Sequence, residues 1–448
     1  MGWKLELVEV GPSSGAHRLE IGWLGEILAP ASVDDIGLEH GLAHRLLGDL
    51  QRAVVALQEA ALQAQADGLR RLDATLRLKD YRLRTIQSLH GTLAIRVPRL
   101  VRVGSGERAP ALLRGSSRST TEYRQVLARL GAWMSFRTAA GLIGELFPLA
   151  SGGSTSTARR RVFAGAAQID AEGVSDRVEA VTTARSIDLG MDTTFVRSCA
   201  PDGPRHHEVL IGVASTDDGR ILRFGGVIAA LDPPHRPITD ALHRLGRCPE
   251  TTITAFTDGD KMLRGYLLKA GIKERPVLDW PHLARRVQVA KTTARGMKAH
   301  TNREYRALPA IRRLLDSLHW RLWHGQTAKG RRALSSIERR LEAFDIRCNR
   351  PDRSAVPARR LRTALTHLRE YIDGQSSYLV DYAQRQRAGK PVGTSTSEGL
   401  ANALVNRRMN KLQQMRWSAA GAHAVVTMRV DAMNGLPRGD VGATTATA

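Results

Sequence analysis

Apolar side chains recur at helical spacing between about residues 36 and 78, where every third or fourth position is apolar: Leu42, Leu46, Leu50, Val54 and Leu57. This period predicts one long amphipathic α-helix, or two helices if Gly68 breaks the run. Apolar and polar positions then alternate over residues 92–103, which predicts a strand. We therefore expect residues 1–110 to form a mostly helical region with a small strand component.

Residues 119–167 contain three short amphipathic segments, each preceded by Ser or Thr. Ser135 is placed to cap the second helix, and Ser154 or Thr155 to cap the third. These helices would turn one set of side chains inward, Phe136, Ala139, Ala140 and Ile143, and another outward, Arg159, Arg160 and Arg161. Because the arginines cluster on the helix that would enter a groove, we expect a helix-turn-helix-like DNA-binding domain over residues 111–175; a generic three-helix bundle is the alternative.

The pattern changes to an α/β alternation after about residue 185. Strands are expected at 185–199, 206–216, 220–230, 251–259 and 276–280, with helices at 237–248 and 260–271, the second capped by Asp260. Three strands followed by alternating helices and strands are typical of a ribonuclease-H-like core. We assign residues 181–290 to its first part.

A long basic segment with helical periodicity follows, from about residue 289 to 390. It predicts an all-α insertion over residues 291–394, after which residues 395–433 would complete the core. Residues 434–448 contain too few bulky apolar side chains to fold, which predicts a disordered tail. The expected fold is thus α/β and multidomain: a ribonuclease-H-like core interrupted by an all-α insertion and preceded by the two N-terminal regions.

The net charge of the chain indicates which classes of partner it could bind. Lys plus Arg number 67 against 44 Asp plus Glu, a formal charge of +23 at pH 7, and such a field attracts nucleic acid. A ribosome or an acidic membrane would account for the charge equally well. No run approaches about 18 apolar residues and the N-terminus lacks a signal-peptide pattern, so we expect a cytoplasmic, nucleoid-associated protein and no membrane partner.

The three cysteines, Cys199, Cys248 and Cys348, lie far apart and show no Cys-x-x-Cys or Cys/His spacing. This argues against a zinc site and against a disulfide framework.

Carboxylates in the α/β region offer a different metal chemistry. Phosphodiester cleavage without a protein nucleophile needs two hard cations about 3.5–4 Å apart, bridged by carboxylates. Asp192 lies in the middle of the first strand, with Asp188 on the same side by alternation. Either aspartate could point away from the core, and the mid-strand position favours Asp192. Asp258 ends a buried strand at a Thr-Asp-Gly corner, where open α/β sheets bind ligands; a plain turn is the alternative.

A third carboxylate must come from beyond the insertion. Glu398 lies in the first turn of a helix expected over residues 395–418. Helix capping alone would also explain a glutamate there. Three basic residues that suit DNA phosphates follow on the same element, Arg407, Arg408 and Lys411.

Taken together, the stretches MDTTFV, FTDGDKML, LDWPHLARRV, SEGLANALVNRRMNK and MRWS resemble DDE transposases with a large helical insertion between the second Asp and the Glu. These include the Mutator-like and related bacterial insertion-sequence enzymes, and the likeness is strongest to the ISKra type. It covers about residues 120–430.

The resemblance implies roles for particular residues. Asp192, Asp258 and Glu398 would bind two Mg²⁺ or Mn²⁺ ions, and Asp279 and His282 in the DWPH motif would lie near the scissile phosphate. Related enzymes commonly have Asp-Gly at the first position, whereas this chain has Asp-Thr, so Asp188 and Asp192 both remain candidates.

The expected function is DNA transposition in two steps: cleavage at a transposon end, and attack of the freed 3′-hydroxyl on target DNA. The partners would be terminal inverted repeats and target duplex, bound by a homo-oligomer assembled on DNA. Two alternatives stay open, a ribonuclease-H-like nuclease without strand transfer and a non-catalytic DNA-binding protein such as a repressor or a domesticated transposase.

Overall fold

A computed structural model describes residues 2–8, 18–26, 36–109, 111–113, 115, 117–147, 153–172, 182–344, 356–393, 399–410 and 415–435. The chain forms two compact units, Met1–Ala167 and Gln168–Ala448. The division falls inside the domain expected over residues 111–175, near its end.

The first unit begins with two antiparallel hairpins and one long helix: β1 (Gly2–Val8), β2 (Arg18–Glu26), α1 (His40–Leu72), β3 (Leu76–Ser88) and β4 (Gly91–Arg102). Helix α1 has 33 residues, against strands of 7, 9, 13 and 12 residues. The expectation of a mostly helical N-terminal region is therefore wrong for the described residues. Strand β3 was not predicted, because the first apolar residues of β3 continue the helical period of α1.

Helix α1 runs through Gly68 without a break and ends three residues before β3. A short turn stops it, because the carboxylate of Asp73 accepts a hydrogen bond of 3.0 Å from the backbone N–H of Thr75. Val55 of α1 packs against Ile95 and Val97 of β4 in a small buried cluster.

Three helices complete the unit, as the capping pattern predicted: α2 (Thr121–Trp133), α3 (Phe136–Leu146) and α4 (Thr155–Glu172), which continues into the second unit. The Ser135 and Ser154 hydroxyls each accept a backbone N–H three residues later, at 3.1 Å. All four side chains expected to face inward from α3 are buried: Phe136, Ala139, Ala140 and Ile143. The helical triplet and its caps are confirmed.

The second unit contains a mixed five-stranded sheet built from β5 (Ser186–Arg197), β6 (His206–Thr216), β7 (Ile221–Val227), β8 (Thr252–Thr257) and β9 (Val277–Leu278). Its spatial order is β7-β6-β5-β8-β9. The first three strands are antiparallel neighbours, and β8 and β9 run parallel to β5. Mixed α/β architecture is thus confirmed.

Helices α5 (Arg236–Arg244) and α6 (Lys261–Lys269) cover one face of this sheet. Asp260 caps α6 as predicted, because its carboxylate accepts the backbone N–H of Met262 at 2.7 Å. Ile187, Leu189 and Met191 of β5 are fully buried in the core beneath α5 and α6. Since side chains alternate along a strand, the even-numbered positions of β5 face the other side.

A helical layer packs against that other side of the sheet. It comprises α7 (Trp280–Arg295), α8 (Asn302–Trp323), α9 (Thr327–Leu341), α10 (Val356–Gly374) and α11 (Tyr382–Arg387), together with short 3₁₀ turns. These helices share one apolar core, which also takes in Phe256 of β8 and Val277 of β9. Helix α7 crosses the boundary expected at 290/291 and packs with the later helices.

After the helical layer, a π-helical segment (Asn402–Asn410) contacts β5, and helix α12 (Ala419–Asn434) packs on β7. All but the first two residues of the tail expected over 434–448 lie outside the described residues. Among the described helices, none combines the length and the apolar character that a membrane crossing demands.

Candidate active site

Strand register sets Asp192 of β5 level with Asp258, which follows β8. The parallel pairing of β5 with β8 matches Asp188 to Thr254 and Gly190 to Phe256. Two positions further along both strands, the same offset of 66 residues relates Asp192 to Asp258. By alternation the Asp192 side chain belongs to the face opposite α5 and α6. Asp258 comes directly after β8, level with Asp192, and its charge acts on the pKa of Asp192.

The backbone corner at Asp258 and Gly259 is held from the helical layer. Tyr371 donates its hydroxyl to the carbonyl oxygen of Asp258 at 2.6 Å. Gln375, which directly follows α10, donates its amide to the carbonyl of Gly259 at 3.1 Å, and Arg264 of α6 donates to the same oxygen at 2.6 Å. Gly259 has φ +100, a conformation that favours glycine. These contacts hold the backbone of the corner, and the Asp258 carboxylate itself accepts a hydrogen bond from the backbone N–H of Asp260 at 3.0 Å.

Tyr371, Gln375 and Arg264 were not recognised from the sequence. The segment around Tyr371 reads only as one more amphipathic helix. A tyrosine on the buried side of an otherwise basic segment was the one available signal. It could not indicate which backbone group, 113 residues earlier, the hydroxyl would reach.

Asp279 and His282 form a buried pair at the start of α7. Asp279 is 1% exposed, caps the helix through the backbone N–H of His282, and accepts a 2.5 Å hydrogen bond from His282 Nδ1. Gly393 packs against this carboxylate so closely that a Cβ there would lie 2.3 Å from Asp279 Oδ1. The pair follows directly on β9, which neighbours β8 in the sheet.

Electrostatic interactions join these four groups. Burial raises the pKa of Asp192; the backbone N–H of Thr193 and His282 oppose this shift, and the negative charges of Asp258 and Asp279 add to it. A group of carboxylates that repel one another around one imidazole attracts a cation.

Asp188 has different surroundings from Asp192. Burial also raises the pKa of Asp188, but the charges that act against this shift are those of Arg385 and Lys390. Its neighbour in register is Thr254, four residues before Asp258. At about 3.3 Å per residue, Asp188 stands about 13 Å from Asp192 along β5. The structure therefore groups Asp192, and not Asp188, with Asp258, Asp279 and His282.

The third expected carboxylate, Glu398, lies outside the described residues, as does Lys411. The helical segment that follows Glu398 is described from residue 399 and is tied to β5, since Asn410 donates its side-chain amide to the carbonyl of Phe195 at 2.7 Å. Within the described part of the chain, no three His, Cys, Asp or Glu side chains converge as a metal site. Two hard carboxylate donors, Asp192 and Asp258, fit Mg²⁺ in chemistry and need a further ligand.

Two of the basic residues expected to bind DNA do not face solvent as predicted. Arg408 is 2% exposed, with its guanidinium 5.2 Å from the ring of Trp417, and burial lowers its pKa to about 10. Arg161 is half-buried and donates to the Ser119 hydroxyl at 2.8 Å. Full exposure was expected from the clustering of basic residues alone, and the packing of Arg161 against Ser119 and of Arg408 against Trp417 withdraws both from solvent.

The other predicted basic residues remain accessible. Arg159 and Arg160 of α4 and Arg407 of the π-helical segment are exposed. Of the cysteines, Cys199 and Cys248 are free, and Cys348 lies outside the described residues.

Comparison with models of known protein families and with curated protein sequences gives no match. The function is therefore argued from the geometry and chemistry of the site.

We expect His282 to make the stability of the metal-free protein depend on pH. The hydrogen bond to Asp279 raises the pKa of His282, with burial acting against it. Because the pKa of His282 is higher in the folded protein than in the unfolded chain, protonation stabilises the fold. This stabilisation is fully present below about pH 6.5 and is lost as the pH rises through the pKa of His282 in the folded protein. Urea unfolding from pH 5 to 9, in buffer with chelator, should show this loss in the wild type and not in His282→Gln.

His319 provides a control of opposite sign. Burial lowers the pKa of His319, so stability is lost as pH falls through its folded-state value, and His319→Gln should remove that loss. Equal pH profiles for the wild type and His282→Gln would contradict the assignment of the charged pair.

Proposed function

We propose that this protein is a DNA transposase of the DDE type, with a ribonuclease-H-like core that carries Asp192, Asp258 and Glu398 as metal ligands. The observation that carries the proposal is the register of β5 and β8, which sets Asp192 beside Asp258 next to the Asp279–His282 pair. Neighbouring carboxylates at a sheet edge are the arrangement that metal-dependent phosphoryl transfer requires.

The sheet topology supports a ribonuclease-H-like core. Three antiparallel strands followed by two parallel ones, in the order β7-β6-β5-β8-β9, match the arrangement expected from the sequence. The helical layer between β9 and residue 393 corresponds to the proposed insertion. It also supplies Tyr371 and Gln375 to the Asp258 corner. The insertion would thus help to position the site as well as bind DNA.

Asp192 and Asp258, with Glu398, would hold Mg²⁺ or Mn²⁺, which when bound stabilises charge on the attacking and leaving oxygens of a phosphodiester. The hydrogen bond to Asp279 raises the pKa of His282 and so favours its charged form, in which Nε2, the nitrogen not engaged by Asp279, could donate to a phosphate oxygen. Tyr371 and Gln375 keep the Asp258 corner from shifting.

DNA would be bound outside this site by exposed cations. Arg159 and Arg160 on α4 are exposed and would contact the terminal repeats, with α4 as the third helix of a helix-turn-helix-like domain. A formal charge of +23 favours binding to a polyanion. Because two ends must be joined to one target, a homo-oligomer assembled on DNA is part of the proposal.

The experiment that tests the proposal incubates purified protein with Mg²⁺ or Mn²⁺, a labelled duplex carrying the ends of its own element, and target plasmid. We expect cleaved ends and joined products with the wild type, and neither with Asp258→Asn. Asp218→Asn is the matched control, since Asp218 lies in the β6–β7 turn and pairs with Arg220.

Each alternative predicts a different product. Cleavage without joined product would favour a nuclease of the same fold. Binding to the element ends without product from either protein, with or without metal, would favour a repressor or a domesticated transposase and overturn the proposal.

A further inference from the structure

A basic groove lies along the β3–β4 hairpin of the N-terminal unit, which the proposed catalytic site leaves unused. It encloses about 660 Å³, and the described residues that line it include six cations, Lys79, Arg82, Arg84, Arg99, Arg108 and Arg118. None of its described lining residues is Asp or Glu. The groove is therefore strongly positive.

Two of the six cations are engaged within the unit. Arg99 forms an ion pair with Asp80, the residue opposite it on β3. Arg84 donates to the carbonyl oxygens of Leu113 and Ser117, at 3.5 and 3.3 Å. These two arginines hold the walls of the groove in place and contribute little free charge.

The other four cations are available to a partner. Lys79, Arg82, Arg108 and Arg118 are exposed, and none forms a side-chain hydrogen bond or ion pair with the part of the chain described here. Four unneutralised charges around one groove repel one another. Such an arrangement is stabilised by a ligand that carries several negative charges.

We propose that this β3–β4 groove binds the sugar–phosphate backbone of duplex DNA without reading its sequence. The inference rests on the proposed function, which makes DNA the substrate. No described residue that lines the groove has an aromatic ring, whereas sites for single strands stack bases on aromatic side chains. Lys and Arg side chains are common partners of DNA phosphate oxygens.

The test measures the affinity of full-length protein for a fluorescein-labelled duplex of arbitrary sequence at several salt concentrations. Each lost phosphate contact lowers the slope of log affinity against log salt by about 0.9. We expect Arg82→Gln/Arg108→Gln to lower the slope by about 1.8 and to weaken binding at least about tenfold near 0.1 M salt. Lys79→Gln/Arg118→Gln should do the same.

Arg52→Gln/Arg70→Gln is the matched control, because it removes two charges of α1 that already pair with Asp49 and Asp67. We expect a slope close to that of the wild type. If both groove variants also keep the wild-type slope, the groove does not bind DNA and the inference is overturned. If the groove substitutions weaken binding to single-stranded DNA or to duplex RNA more than binding to duplex DNA, the assignment to duplex DNA is overturned.

The same preparations separate this inference from the proposed function. Asp258→Asn should lose cleavage and keep the wild-type salt slope, while the groove variants should cleave their element ends at saturating protein. Reduced slopes in the groove variants, with no cleavage by any protein, would support the groove and overturn the transposase. Cleavage by the wild type, with groove variants that keep the wild-type salt slope, would support the transposase and overturn the groove.

Discussion

Asp192→Asn should lower the rate of metal-dependent DNA cleavage by about a thousandfold. The amide replaces a charged oxygen that would bind the cation, and a loss of about 4 kcal/mol in transition-state stabilisation corresponds to that factor. Duplex binding in the presence of chelator should stay unchanged, because chelator removes the cation through which Asp192 would act on DNA. The measurement is a single-turnover rate at saturating protein and metal.

Asp188→Asn is the control, on the same strand and the same face. Its carboxylate interacts with Arg385 and Lys390 and stands about 13 Å from Asp192, too far to bridge cations about 4 Å apart. We expect its cleavage rate to fall less than about tenfold, the size of an indirect effect. A thousandfold loss in Asp188→Asn with normal activity in Asp192→Asn would assign the first ligand to Asp188 instead.

The second large effect should come from Gly212→Ala, which we expect to lower the free energy of unfolding by about 1–3 kcal/mol. Gly212 lies opposite Phe224 on β7, and a Cβ there would lie 2.1 Å from Phe224 Cζ. Phe224 is 4% exposed in the core beneath α5 and α6, so the added methyl group would force a buried ring to shift. Gly212 is also opposite Met191 on β5, so cleavage should fall together with stability.

Gly265→Ala makes the same chemical change where there is room. Gly265 is inside α6, no described atom outside the helix backbone lies within 4 Å of an added Cβ, and alanine favours a helix by about 0.5–1 kcal/mol. Urea denaturation should therefore show opposite signs for the two variants. Adding Phe224→Leu should recover part of the stability that Gly212→Ala loses, and simple additivity of the two changes would contradict the proposed clash.

Local patterns were sufficient for most of the secondary structure. Alternation along β5 and β6, the capping residues Ser135, Ser154 and Asp260, and the helical period of the insertion all act over a few residues. Hydrogen bonding and burial over such distances depend mainly on the order of residue types. The sequence could therefore place two aspartates at strand positions suited to a site.

Burial that depends on contacts with distant parts of the chain could not be predicted from local patterns. Arg161 and Arg408 have the same local context as exposed arginines, and only the packing of α4 against Ser119 and of Arg408 against Trp417 withdraws them from solvent. Strand β3 was missed for a related reason. Its first residues continue the period of α1, and its pairing with β4 decides the outcome.

The sequence indicated the available chemistry: a basic chain, one aspartate within a strand and another at the end of a buried strand, and the Asp279–His282 pair of the DWPH motif. Which of these groups come together depends on the tertiary structure. The parallel register of β5 and β8 favours Asp192 over Asp188, and α10 reaches back to fix the Asp258 corner. Register and packing join residues that are far apart in the chain, and no local pattern encodes them, because they depend on how whole elements pair.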